Sequence, residues 1–370
     1  MRVSNLQGYD LKLNYVFSRA QVNAALSITP EDVRAPDTLT YSKNLFLPLT
    51  TACKYTCAYC VYYDVPGQER LMSPEQVCAE LDRGARAGCR EALFTFGDTP
   101  DTRYTGLYER LKGWGYDSLH HYHLQACEWA LERGLLPHSN PGDMQWGQMA
   151  ELRQVNASMG MMLETTASVA AHAGVHRKTP GQRLQTLEYA GRLKVPFTTG
   201  LLIGIGESWQ DRALSLLCLK RLHEAYGHLQ EVIVQNVVPN RRWRKPAPSQ
   251  QEMRRMVAMA RGVLPPQVAV QVPPNLSPVE ALLDCGVGDL GGVSPVTDDF
   301  VNPDYQWPAI RRLENMASKH AKTLQQRLAV YPEFINDTWL SPRLRQALAH
   351  ESFQSFLPAP TAVAVGGPDD

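Results

Sequence analysis

The sequence predicts an α/β protein folded as a (β/α)8 barrel of the TIM type in one main domain, and three observations carry that prediction. Eight short β-branched or aliphatic runs recur along the chain, at residues 44–50, 91–96, 135–139, 156–163, 195–203, 231–237, 268–272 and 287–293. The segments between them carry helix start and stop signals. Alternating strands and amphipathic helices specify a parallel sheet, which right-handed crossovers close most simply into a barrel. An open doubly wound sheet is the alternative topology.

Taken in order, residues 1–38 show no clear apolar period and read as an N-terminal extension with some helix near 30–33. The main domain is expected at 39–345. After its first run, Ser73-Pro74-Glu75-Gln76 places a capping serine, a first-turn proline and a glutamine at the capping-box position, and Gly88 closes that helix. From Ser208 the logic repeats: Asp211 follows three residues on, Leu214, Leu217, Cys218, Leu222 and Ala225 form one apolar stripe, and Gly227 stops it. The C-terminal tail, 346–370, ends in a stretch rich in Ala, Pro and Gly with no face to bury, and is expected to be disordered there.

Apolar residues make up 44% of the 370 and charged residues 20%, a balance that buries one large core. Lys plus Arg equal Asp plus Glu at 37 each, which removes any global electrostatic reason to bind nucleic acid or an anionic membrane. A small-molecule substrate is expected. No apolar run approaches the roughly 20 residues of a spanning helix, and the start lacks a basic segment followed by an apolar one, so a cytoplasmic location is expected.

Of the eight cysteines, five are scattered singly and only Cys53, Cys57 and Cys60 are close-spaced. Reduced, close-spaced thiols read as ligands rather than bridges. The loop Cys53-Lys54-Tyr55-Thr56-Cys57-Ala58-Tyr59-Cys60 directly follows the first strand, where barrel enzymes carry their chemistry. Three thiolates on a four-iron cluster leave one iron open for a substrate-derived ligand. Structural zinc would need a second pair of ligands, and none follows. An iron–sulfur electron carrier, the reading from a different class, would take its fourth ligand from protein.

This C-x3-C-x2-C pattern, with aromatic Tyr59 before its last cysteine, resembles the radical S-adenosylmethionine (SAM) superfamily. The resemblance implies one 4Fe–4S cluster on the three cysteines and S-adenosyl-L-methionine on the open iron, with Tyr59 near the adenine. Thr95-Phe96-Gly97-Asp98 stands where the superfamily has its glycine-rich segment for the methionine amino group. Gly204-Ile205-Gly206-Glu207 fails as a dinucleotide fingerprint, because Trp209 occupies the third glycine position. The resemblance lays Gly204 and Gly206 against the adenosyl group instead. Glu164, ending the fourth strand, is a candidate for a ribose hydroxyl or the sulfonium end. His138 and Asn140, after the third strand, offer a titratable group and an amide to substrate. His120, His121 and His123 are read as surface histidines of an outer helix, and Arg241-Arg242-Trp243-Arg244-Lys245 as a solvated loop.

Beyond the cysteine loop, the segments at every strand end, among them Ala92-Leu93-Phe94-Thr95-Phe96-Gly97-Asp98, Met161-Met162-Leu163-Glu164-Thr165-Thr166 and Gly291-Gly292-Val293-Ser294-Pro295, are similar to the 7,8-didemethyl-8-hydroxy-5-deazariboflavin (FO) synthase family, specifically its ring-closing subunit. That resemblance implies a lyase of coenzyme F-420 biosynthesis. A tyrosine-acting partner subunit joins a hydroxybenzyl group to a ribitylaminouracil, and this subunit cyclises the adduct with loss of ammonia. An electron donor such as ferredoxin or flavodoxin is implied as well. Candidates for holding the uracil, ribityl and phenol groups are His138, Asn140, Gln235, Asn236, Asn275, Asp289 and Ser294. Two departures stand out: residues 239–245 replace a glycine-containing loop, and residues 173–180 look shortened. The nearest rivals are the tyrosine-acting subunit itself and a radical SAM enzyme of menaquinone synthesis.

Overall fold

A computed structural model of the chain describes residues 1–100 and 102–357. Its strands are β1 (Thr38–Leu47), β2 (Glu91–Thr95), β3 (Leu136–Asn140), β4 (Ser158–Gly160), β5 (Phe197–Ile203), β6 (Leu229–Asn236), β7 (Ala269–Gln271), β8 (Asp289–Val293) and β9 (Thr323–Arg327). The α-helices are α1 (Arg19–Leu26), α2 (Pro74–Arg86), α3 (Thr105–Gly113), α4 (Leu119–Glu132), α5 (Trp146–Leu152), α6 (Pro180–Arg192), α7 (Trp209–Tyr226), α8 (Gln250–Val263), α9 (Ile310–Lys319) and α10 (Pro342–Leu348). β1 to β8 pair in sequence order, all parallel, and β8 pairs back with β1, so the sheet closes. The predicted barrel is therefore the observed one, and each apolar run overlaps one of β1 to β8.

The local signals act as expected at the helix ends. Ser73 and Gln76 exchange backbone and side-chain hydrogen bonds around the first turn of α2, and Ser208 with Asp211 does the same for α7. Gly227 ends α7 at φ 70°, a left-handed value that costs a glycine little. The α7 stripe is buried at Leu214, Leu217, Cys218 and Leu222, but Ala225 is exposed because the helix has by then run past the barrel. The N-terminal extension straps the outer helices: the buried Glu188 carboxylate of α6 accepts the Lys12 and Leu13 amides and the Tyr15 hydroxyl, at 2.7, 3.1 and 2.9 Å.

One strand is invisible in the sequence pattern. β9 reads Thr-Leu-Gln-Gln-Arg, without an apolar face, yet it pairs in parallel with the first half of β1, from Thr38↔Thr323 to Ser42↔Arg327. Backbone pairing needs no particular side chain, so its register leaves no signature. The chain then crosses the amino end of the barrel: the Ala329 carbonyl accepts from Ser158 of β4 at 2.6 Å and from Gln230 of β6 at 3.0 Å. Buried Leu328, Ala329 and Val330 thereby floor the barrel, packed with Phe334, Leu340 and Leu344. Helix α10 runs across the expected boundary at 345, and Phe353 beyond it is buried. Residues 358–370 of the expected tail lie outside the described residues.

Three histidines are buried as neutral groups. Burial pushes His123, His138 and His228 down to about 3. In the unfolded chain each titrates near 6.5, so below that pH the unfolded state takes up protons that the folded state refuses. Stability is full above pH ~6.5 and is lost progressively toward pH ~3, by up to about 1.4 kcal/mol per pH unit for each group. Urea denaturation at pH 7.5 and 5.5 is expected to show this loss. His228→Phe should lower the slope by about one proton while keeping an aromatic ring beside those of Phe197 and Tyr226.

Candidate active site

The cysteine loop lies on the carboxyl ends of β1 and β2 and is fastened to them by backbone. Gly97 N–H donates to Thr50 O at 3.2 Å and Lys54 N–H to Asp98 O at 2.9 Å. The Asp98 amide points at Cys53 Sγ, 3.2 Å away. A Cβ on Gly97 would stand 1.9 Å from the Ala52 carbonyl oxygen and 2.7 Å from Cys53 Cβ. Gly97 is thus required by the cysteine loop itself, which fills the space a side chain would need.

Cys53, Cys57 and Cys60 border one cavity of about 210 Å³ and are free of disulfides. Burial pushes Cys53 up to about 12 and raises Cys57 as well. Among the described residues no three His, Cys, Asp or Glu side chains gather round one point as a single metal ion demands. A four-iron cluster asks for something else: each thiolate binds its own iron, so the ligands ring a cavity. The arrangement fits that demand and not that of structural zinc.

Two carboxylate clusters flank the loop. The Tyr59 hydroxyl donates to Glu164, whose carboxylate also meets Lys178 Nζ at 2.9 Å and His172 Nε2 at 2.7 Å. Burial opposes the charge on Glu164, but Lys178, His172 and Arg183 overcome it and hold the carboxyl well below the usual range. Glu164 adopts φ 64°, a left-handed conformation costing roughly 1–2 kcal/mol in a non-glycine residue. It is held there by backbone bonds to Gly200 and Leu202, at 2.8 and 3.0 Å, which aim the carboxylate into the cavity.

The second cluster joins Asp98 to Arg183 at 2.9 Å and Lys54 to Asp143 at 3.3 Å. Burial and the neighbouring Asp143 push Asp98 up, whereas at Asp143 burial is outweighed by Arg183 and Lys54, which hold it down. Asp143 Oδ1 and Arg183 Nε, both buried, face each other as an ion pair at 3.5 Å without a hydrogen bond between them. Asp98 and Arg183 of this cluster also border the cysteine cavity, so it presents both signs of charge there.

The remaining sequence candidates separate into those that face a cavity and those that do not. Phe96 borders the cysteine cavity with its ring edge-on to His123, centroids 4.9 Å apart. His123 is accordingly buried and bonded to Ser139 at 2.7 Å, which corrects its reading as a surface group, and His120 meets the Glu151 carboxylate at 2.7 Å. Gly204 and Gly206 have φ of 96° and 114°, and their turn is held by Glu207, but neither borders the cavity. His138, Asn140, Gln235 and Asn275 line a second cavity of about 220 Å³ inside the barrel. Asn236 borders the first, its amide bonded to Leu276 O at 3.1 Å. Ser294 borders neither and caps a turn through Thr297.

Asp289 is placed at the amino end of β8 rather than at the barrel mouth. It receives Arg327 at 2.6 Å and Tyr331 at 2.9 Å, deep in the floor.

His172, Lys178 and Arg183 were not read from the sequence. Arg183 did leave a signal, since it shares the α6 stripe with Leu187 and Ala190, where a charge needs a buried partner. The basic run after β6 is also more than a solvated loop: Arg242 donates to the carbonyls of Cys60 and Tyr63 at 2.7 and 3.1 Å, and buried Trp243 meets the Tyr59 ring edge-on. No described helix is long and apolar enough to cross a membrane.

A family model for the Radical SAM superfamily matches residues 47–217. The 7,8-didemethyl-8-hydroxy-5-deazariboflavin synthase of Haloarcula marismortui is 54% identical over 360 residues, covering 96% of this chain and 97% of that protein. The synthase of the same name from Halobacterium salinarum is 56% identical over 347 residues, 92% and 94% of the two chains. That of Methanoregula boonei is 46% identical over 313 residues, 84% and 94%. Among solved structures, methylornithine synthase superposes with a TM-score of 0.61 at 15% identity, over 84% of this chain and 91% of that one. The FeFe-hydrogenase maturase of Carboxydothermus hydrogenoformans gives 0.59 at 14%, over 89% and 74%. At such identities these two structures bear on the fold alone.

Proposed function

Because the chain belongs to the 7,8-didemethyl-8-hydroxy-5-deazariboflavin synthase family of the radical SAM superfamily, we propose that it is the ring-closing subunit of FO synthesis. In this reading it cyclises 5-amino-5-(4-hydroxybenzyl)-6-(D-ribitylimino)-5,6-dihydrouracil to FO, a carbon–nitrogen lyase reaction that releases ammonia, 5′-deoxyadenosine and methionine. The supporting observation is that the cysteine cavity and the barrel cavity share Thr95, Asn140, Met162, Gln235, Val301 and Asn302 as walls. A substrate in the barrel therefore lies directly beneath whatever the cysteines hold.

Cys53, Cys57 and Cys60 would carry the 4Fe–4S cluster. Bound there, the cluster and S-adenosyl-L-methionine supply a 5′-deoxyadenosyl radical able to take an unactivated hydrogen atom. The protein's part is to hold and exclude. Asp98, Asp143 and Arg183 offer opposite charges to the ammonium and carboxylate of the methionine end. Glu164, kept ionised by Lys178, accepts from ribose hydroxyls, and Tyr59 and Phe96 are walls for the adenine. Val301, Asn302 and Trp307, from the connection between β8 and α9, cover the barrel cavity and keep water out. Ferredoxin or flavodoxin would deliver the electron, and the tyrosine-acting subunit the adduct.

The test is anaerobic reconstitution with reductant and S-adenosylmethionine, given either the preformed adduct or tyrosine with the diaminouracil. Deazaflavin fluorescence from the adduct alone is expected. 5′-Deoxyadenosine formed only with tyrosine would instead identify the tyrosine-acting subunit, and none under any condition would leave an iron–sulfur carrier.

A further inference from the structure

The barrel cavity is graded along its axis. Strand register sets the levels: Glu91, Thr198 and Glu231 stand near the amino ends of β2, β5 and β6, His138 and Gln271 halfway, and Thr95, Asn140 and Gln235 at the carboxyl ends. From Glu231 to Gln235 the rise is about 13 Å, at roughly 3.3 Å per residue. That depth takes a ring followed by an extended ribityl chain.

The two ends differ in chemistry. Toward the mouth, Asn140 and Gln235 carry amides with no side-chain hydrogen bond among the described residues, beside the apolar Met162. At the floor stand two carboxylates from opposite walls. Glu231 Oε2 takes Arg327 at 2.7 Å and Tyr331 at 3.2 Å, while among the described residues its Oε1 takes only the Thr198 hydroxyl, at 2.7 Å. Glu91 accepts the Ser42 hydroxyl. Between the tiers, His138 and Gln271 are each only 7% exposed, so their free polar atoms open on the cavity or on nothing. His138 spends Nδ1 on Ser158 at 2.6 Å, and among the described residues neither its Nε2 nor the Gln271 amide has a side-chain hydrogen bond.

We propose that this floor is a polyol subsite: Glu231, Glu91, His138 and Gln271 hold the ribityl chain of the substrate, so that its ring lies at the level of Asn140 and Gln235, facing the cysteines. The inference rests on the ring-closing reading and adds the orientation of the substrate. A single phenol hydroxyl satisfies one such group, whereas the floor presents several on separate strands. A chain of hydroxyls, each both donor and acceptor, satisfies them together. Arg327 acts as a positioning residue, fixing Glu231 and Asp289 from β9. Burial pushes Glu231 up, with Arg327 opposing and Asp289 adding to the rise.

The intrinsic fluorescence of FO makes the subsite measurable by binding to the reconstituted holoenzyme. Three ligands are compared: FO, its analogue with methyl in place of ribityl, and its analogue lacking the 8-hydroxyl. The wild type is expected to bind FO at least about tenfold more tightly than the methyl analogue. Glu231→Gln and, independently, Gln271→Leu should shrink that ratio to about twofold while leaving the penalty for the missing 8-hydroxyl unchanged. A ribityl preference that survives both substitutions overturns the subsite, as does a Glu231→Gln effect that tracks the 8-hydroxyl instead. Should the wild type bind none of the three, the deazaflavin reading falls and the subsite with it. Thermal melts of each variant identify misfolding, and a variant that melts early is replaced by Glu91→Gln, which leaves the Arg327 pairs intact.

Discussion

Cys57→Ala is expected to abolish the iron–sulfur chromophore and, with it, all cleavage of S-adenosylmethionine, while leaving the barrel folded. Cys57 sits at the centre of the loop, 4% exposed, and belongs to none of the apolar clusters that make the core. In the proposed reading, removing it would leave two thiolates for a cluster with no fourth protein ligand. Iron and sulfide are expected to fall from about four per chain to background on anaerobic reconstitution. The melting temperature of the apoprotein should hardly move. Cys218→Ala is the counter-test: this cysteine is fully buried in α7 and touches no part of the site. It should cost about 1–2 kcal/mol of stability through the small cavity it leaves, with the cluster intact. A Cys57→Ala protein that still binds four irons would remove the loop from its assigned role.

Gly97→Ala is expected to be nearly as damaging by a different route. Its added methyl would meet the Ala52 carbonyl oxygen at 1.9 Å and the carbonyl carbon at 2.6 Å. Both are backbone atoms, so no rotamer can relieve the contact, and the loop must lift away from β2. A loss of about 3 kcal/mol or more is expected in chemical denaturation, together with poor cluster incorporation because Cys53 moves with Ala52. Gly206→Ala separates space from backbone strain. Gly206 has φ 114° and nothing within 4 Å of its missing Cβ, so substitution there strains the dihedral alone. It should cost roughly 1–2 kcal/mol and spare the cluster. Equal cluster loss in both variants would contradict the packing argument for Gly97.

The same glycine shows how far a sequence reading reaches. Its position after the second strand marks it, by resemblance, as part of the segment for the methionine amino group; in the structure its bare backbone admits a close neighbour. What approaches is the cysteine loop, which only the closed sheet brings over β2. Asp289 teaches the converse. A carboxylate near a strand looks the same in the sequence at either end, but its place at the amino end of β8 hands it to Arg327 in the floor. Arg327 itself arrives on β9, a strand with no apolar period to reveal it.

Fold class, the spacing of the three thiols and the helix caps follow from the sequence by itself, because each depends on neighbours a few residues apart: period, loop length and a side chain reaching its own backbone. Pairings between distant segments were left to the tertiary structure. Lys178 meets Glu164 and Tyr59, Arg183 meets Asp98 and Asp143, and Arg242 meets the Cys60 carbonyl. In the sequence each of these is one more charged residue. Burial in a shared cavity makes it a partner, since a charge out of water must find its counter-charge wherever the barrel has carried it.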